Sequence, residues 1–183
     1  MTIKDEVYFH EDDYLQRDLL PIQNLLSKRN EADVTIEQSE EAFTEDGFTT
    51  MSVIQETKYP LDKLNISVAD FENILKEHAL FYFKRVYTGY STHRELKPNT
   101  LAFGFENYAL FYQFNNGIIT RAWIVYISFS DTLDGFPVRL QNTLHKLGLV
   151  YDLILVDWNE LVTVVLRNEP AIMNYIKLCK GDF

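Results

Sequence analysis

Hydrophobic positions along the chain change their spacing several times, and each change marks a predicted element. Leu15, Leu19, Ile22 and Leu26 recur three or four residues apart, which is one face of a helix. Pro21 sits inside that pattern, either in the helix's first turn or at the junction of two short helices. Residues 31–46 hold seven acids and no base, and read as an exposed loop first, with a frayed strand or an acidic arm as alternatives. Between 48 and 58, Met51, Val53 and Ile54 among threonines suit a strand that ends at Pro60. Ser67-Val68-Ala69-Asp70 is a capping-box variant, and Val68, Phe71, Ile74, Leu75 and His78 continue at helical spacing.

After Leu80 the period falls to two. Phe81, Phe83, Arg85 and Tyr87 alternate with Tyr82, Lys84, Val86 and Thr88. Shorter alternating runs cover Leu101 to Phe105 and Tyr108 to Phe114. Asn115-Asn116-Gly117 then signals a hairpin, because Asn and Gly accept the positive φ of a tight turn. The chain returns as a long strand over 118–129. Residues 134–147 read as a helix closed by Gly148 as its C′ residue. Two apolar runs, 150–156 and 161–166, flank Asp157-Trp158-Asn159-Glu160 as a buried hairpin, and Pro170 opens a last helix. The expected fold is α+β: a curved, mainly antiparallel sheet of about five to seven strands with helices mostly on one face. One domain over 1–183 is expected, with an acidic helical or loop region over 1–60.

Charge alters this picture in one respect. Residues 1–60 carry fourteen acids against five bases, whereas 61–183 carry thirteen against twelve, so nearly all of the net −10 lies in the first third. Such a balance disfavours direct nucleic-acid binding, which needs clustered Lys and Arg, and disfavours an anionic membrane surface. No apolar stretch approaches the roughly 20 residues of a membrane span, and the acidic start lacks a signal peptide's h-region. The lone Cys179 forms no internal disulfide and reads as a half-buried small hydrophobe. A reducing, cytoplasmic location is the expectation.

Candidate chemistry is sparse. The chain has no GxSxG elbow, no phosphate-binding glycine loop and no HExxH, so no catalytic residue, metal site or cofactor is assigned. His78 and His145 suit helix ends, and His93 stands in a polar loop. Asp131 and Asp134 lie between a strand and a helix, where Asp134 suits a cap. Two functions follow as expectations. The first is a non-catalytic protein-binding module, a small acidic inhibitor or immunity-type protein that neutralises a basic partner protein such as a bacterial toxin. Asp12, Asp13, Glu40, Glu41, Glu45 and Asp46 would steer that partner and Trp158 would anchor it. The second is a small-ligand protein or enzyme with an aromatic pocket against the sheet. There Arg121 would be an anion clamp, with His93 and Asp131 as acid–base groups. A third reading is an assembly component whose acidic arm contacts a neighbouring subunit.

Overall fold

The computed structural model describes residues 1–44, 47–48, 57–90, 93–127 and 137–180. Strands β1 (Thr2–His10) and β2 (Arg17–Pro21) precede helix α1 (Leu25–Ala42) and a small ribbon, β3 (Phe43–Thr44) with β4 (Gly47–Phe48). Helix α2 (Val68–His78) leads into β5 (Phe81–Tyr90), β6 (His93–Leu96), β7 (Thr100–Gly104), β8 (Tyr108–Asn115) and β9 (Ile118–Tyr126). Helix α3 (Val138–Tyr151), β10 (Leu153–Asp157), β11 (Val162–Val165) and α4 (Glu169–Lys180) follow. Among the described residues this is an α+β fold of four α-helices and a nine-stranded open sheet, more strands than the five to seven expected.

The strands beyond those expected are β1 and β2 at the chain's start and β6. The sheet runs β1-β5-β7-β8-β9-β2-β10-β11, with β6 paired to β5 beside this path. Among the described strands only β1–β5 is parallel. The helix expected around Leu15–Leu26 is replaced by β2 and a 3-10 turn over Ile22–Asn24. Leu19 and Leu20 are both buried, one in the large core cluster and the other in a small one. A strand covered on both faces reads as a continuous apolar run, and its leucines coincided with a helical spacing. Residues 31–42, expected as loop, belong to α1. The strand expected over 48–58 has only Phe48 in a described strand, and 49–56 lie outside the described residues.

Other elements follow their local chemistry. Asn116 and Gly117 take φ of 49° and 77°, which makes the β8–β9 connection a two-residue turn of the expected kind. Ser67 Oγ accepts the Asp70 N–H at 3.0 Å, as a cap should, but Asp70 does not reach back to the backbone. Its carboxylate instead accepts the Ser67 hydroxyl at 2.6 Å. In β5, Phe83 and Val86 share a cluster although three residues apart. The alternation loses phase there because β5 leaves β7 after Phe83 and pairs with β6 from Tyr87.

Two core clusters use opposite faces of the central strands. Tyr108, Leu110 and Tyr112 of β8 join residues of α2, α3 and α4, whereas Ala109 and Phe111 join Trp123, Val125 and Phe9. Phe9 of β1 meets the Trp123 ring at 5.4 Å although β5, β7 and β8 lie between their strands in the sheet.

Candidate functional site

Of the acids expected to steer a partner, Asp12 and Asp13 lie in a 3-10 turn between β1 and β2. Asp12 is exposed and sits 3.3 Å from His10 Nδ1. Glu40 and Glu41 lie in the last turn of α1. Glu45 and Asp46 lie outside the described residues, as do Asp131 and Asp134. His93 is exposed on β6, away from the residues that line the cavity described below. His78 ends α2, while His145 falls mid-helix because α3 runs on to Tyr151. Among the described residues no three His, Cys, Asp or Glu gather as a metal site, and no helix is long and apolar enough to cross a membrane.

Asp157 is the most heavily used acid in the described structure. It is fully buried at the end of β10. One carboxylate oxygen accepts Arg17 Nε at 2.9 Å and the Tyr175 hydroxyl at 2.6 Å. The other accepts the N–H groups of Asn159 and Glu160 and so shapes the β10–β11 turn. Burial and the Asp157 carboxylate push the Tyr175 hydroxyl above its ordinary range, so it stays a donor. Burial likewise pushes the Cys179 thiol up, which suits a packing role better than a nucleophilic one.

Trp158 follows directly. Its N–H donates to the Gln16 carbonyl at 2.9 Å, and Lys28 Nζ lies 5.1 Å from the centre of its ring. Half-buried in this way, Trp158 forms one wall of a cavity of about 540 Å³. Tyr14 also lines it, and Asp18, Lys28, Thr120 and Arg121 supply polar groups. Two backbone irregularities build this lining. Leu15 takes φ of 60°, a costly conformation for a bulky residue, as the chain turns into β2. The β8–β9 register slips between Gln113 and Phe114, so Thr120 is an extra residue and both Thr120 and Arg121 reach the cavity.

Tyr14 is held on several sides. Its hydroxyl donates to Gln113 Oε1 at 2.9 Å and accepts from Arg121 Nη1 at 3.2 Å. Its ring stacks on Phe9 and meets Trp123 edge-on, with ring centres 6.0 and 4.9 Å apart. Arg121 therefore stands where the sequence suggested an anion clamp, beside an aromatic wall; His93 is not among the lining residues, and Asp131 lies outside the described residues. The acid present is Asp18. It was legible only once residues 17–21 are read as a strand, where Asp18 points away from the core face that takes Leu19.

Asp18 is half-buried in β2 and lines the cavity. Burial raises its acid to about 8, with Arg121, Lys28 and the Leu19 N–H pulling the other way. The folded chain thus holds a proton on Asp18 that the unfolded chain releases near the ordinary value of 3.8. The associated stability is complete below that value and is lost as pH rises towards 8. Asp18→Asn removes this dependence. The variant's gain in urea midpoint over the parent is expected to grow from pH 5 to pH 8, and a gain that is flat or reversed would count against a buried protonated Asp18.

The chain was also compared with known proteins. It matches no family model, no curated protein and no solved structure. Its function therefore rests on its own residues.

Proposed function

We propose that the chain is a non-catalytic protein-binding module, a small acidic inhibitor or immunity-type protein that neutralises a basic partner protein. A bacterial toxin is the model partner, met in the cytoplasm. The observation that carries this reading is the order of charge along α1. A helix is stabilised by acids in its first turn and bases in its last. Helix α1 has neither: Lys28 and Arg29 stand near its start, and Glu37, Glu40 and Glu41 near its end. Those acids work against the helix that carries them, which points to a use outside it.

Burial along α1 agrees. Over residues 25–38 only Lys28 and Ala32 are buried. Leu26, Val34 and Ile36 are 73%, 48% and 41% exposed, an apolar content that packs against nothing in the chain to that extent. Leu26, Asp33 and Glu37 fall on the face opposite Lys28 and Ala32 at the helical 3.6-residue period. The reading keeps the curved sheet with helices mostly on one face. The Phe9–Trp123 contact across three strands supports the curvature. Residues of α2, α3 and α4 share the large core cluster, whereas α1 contributes Leu25 beside a small separate one. Asp12 and Asp13 add to the acids that steer approach, and Glu40, Glu41, Glu45 and Asp46 supply further negative charge in the sequence.

The test is capture of partners from the native host's lysate at low and high salt, followed by kinetics with the protein retained. A basic protein held stoichiometrically at low salt and released by salt is expected. The triple variant Glu37→Gln, Glu40→Gln, Glu41→Gln should slow its association about tenfold while the helix becomes slightly more stable. Unchanged association, or a variant that loses both stability and binding, would show that these acids serve the fold.

A further inference from the structure

The cavity holds charge of the opposite sign from the chain. Its ionisable lining consists of Arg121, Lys28 and Asp18, with Tyr14 as the one further titratable group, inside a protein of net charge −10. We infer that this cavity binds a small organic oxyanion with an aromatic or apolar body, its head group held between Arg121 and the Asp18 carboxyl and its body between Tyr14 and Trp158. This inference stands apart from the protein-binding role of α1.

Several features fit an anion and disfavour a cation. Among the described residues Arg121 has no carboxylate within ion-pair distance; its contacts are the Tyr14 hydroxyl and the face of the Tyr14 ring, 6.0 Å away. Since Tyr14 is itself anchored by Gln113, Phe9 and Trp123, the guanidinium is pre-positioned at little further cost in side-chain entropy. Lys28 is engaged differently. Its ammonium binds Glu31 at 2.8 Å and covers Trp158, so it chiefly fixes the aromatic wall and offsets its own charge with Glu31.

Asp18 completes the head-group site from β2. It forms no ion pair with either cation, although both act on it through space. Burial raises its acid to about 8, which favours an O–H donor over a carboxylate near neutrality. An incoming oxyanion accepts hydrogen bonds from that O–H and from the guanidinium, and in turn favours the proton on Asp18. An ammonium ligand would meet the Arg121 guanidinium, whose contacts are with Tyr14 alone among the described residues. The groups that face Asp18 are Arg121 from β9, Lys28 from α1 and Tyr14 from the β1–β2 connection. The apolar share of the lining, Leu15, Leu19, Leu20, Pro60 and Leu61, suits a hydrophobic body. The volume lies within the roughly 300–1,000 Å³ of small-molecule pockets.

The experiment uses the full chain and three probes of one shape: 2-naphthoate, 2-naphthyl phosphate and 2-naphthylmethylamine. Binding is followed by amide and indole NMR shifts, which distinguish Trp158 in the wall from Trp123 in the core. Saturable one-to-one binding of at least one anion is expected, with the Trp158 indole shifting and the amine leaving it unmoved. Comparison of the two anions shows whether a carboxylate or a phosphate fits better. Arg121→Gln should weaken binding at least about tenfold, as loss of a charge-assisted contact does. Affinity of the parent should fall from pH 6 to pH 9, whereas Asp18→Asn, which keeps a neutral donor, should hold its affinity across that range. Amide spectra of each variant confirm the fold, and Arg121→Lys provides a second, charge-preserving variant with intermediate affinity. Absence of saturable anion binding up to millimolar probe, preference for the amine, or affinity indifferent to Arg121 would each overturn the assignment.

Discussion

Asp157→Ala is expected to lower folding stability by about 3–5 kcal/mol, the range for breaking a buried pair from one side. The carboxylate has no solvent contact, and the Arg17 side chain paired with it is only 18% exposed. Truncation leaves that guanidinium without a counter-charge and the Tyr175 hydroxyl without its acceptor. Two turn N–H groups lose their acceptor as well. The damage also spreads, because Arg17 belongs to β2, Asp157 to β10 and Tyr175 to α4, so one side chain ties three elements together. Asp157→Asn retains a turn acceptor and should cost less. Tyr175→Phe removes one hydrogen bond and should cost about 1 kcal/mol. Urea unfolding followed by circular dichroism measures all three. A loss below that of Tyr175→Phe in the alanine variant would refute Asp157 as the junction of the fold.

The second large effect has an unusual sign. An alanine in place of an exposed glycine inside a helix stabilises by about 1 kcal/mol. Gly148 is such a glycine by position, the eleventh of fourteen residues of α3, and not the C′ residue that the sequence implied. The residue that turns left-handed at the end of α3 is Asp152, with φ of 53°. Gly148 is small for another reason. A Cβ there would stand 2.2 Å from the Leu166 carbonyl carbon and 2.5 Å from the Arg167 nitrogen, so α3 rests directly on the backbone that leaves β11. Neither is a flexible side-chain end that can move aside. Gly148→Ala should therefore destabilise by about 3 kcal/mol, the upper part of the range for overpacking. A stabilised variant in the same urea experiment would mean that the two backbones are not in contact.

The parts of the fold legible in the sequence are those specified locally. Asn116-Gly117 carries its own turn geometry, and Ser67 carries its own cap. Residues 17–21 and 31–42 were misread because their structure depends on distant partners. Leu19 and Leu20 look helical until β9 and β10 enclose them, and the acids of α1 suppress an apolar pattern that is weak to begin with. The cavity divides in the same way. Arg121 was conspicuous as a charge inside an apolar strand, and Trp158 as an aromatic among turn residues. Asp18 was not, because what makes it unusual is burial by segments distant in the sequence. Nor does any residue type announce the register slip that turns Thr120 and Arg121 to the cavity.

The order of strands in the sheet also governs how the chain meets its partners in time. A polypeptide released from its N-terminus presents β1 and β2 long before β5, β9 and β10 exist to receive them. At about 5–20 residues per second, the segment Arg17–Pro21 waits roughly ten seconds for Leu153–Asp157. Until β5 and then β9 and β10 emerge, these two strands travel with open edges on the most acidic part of the molecule. Like charge of that density is the kind that opposes edge-to-edge pairing between copies of an unfinished chain.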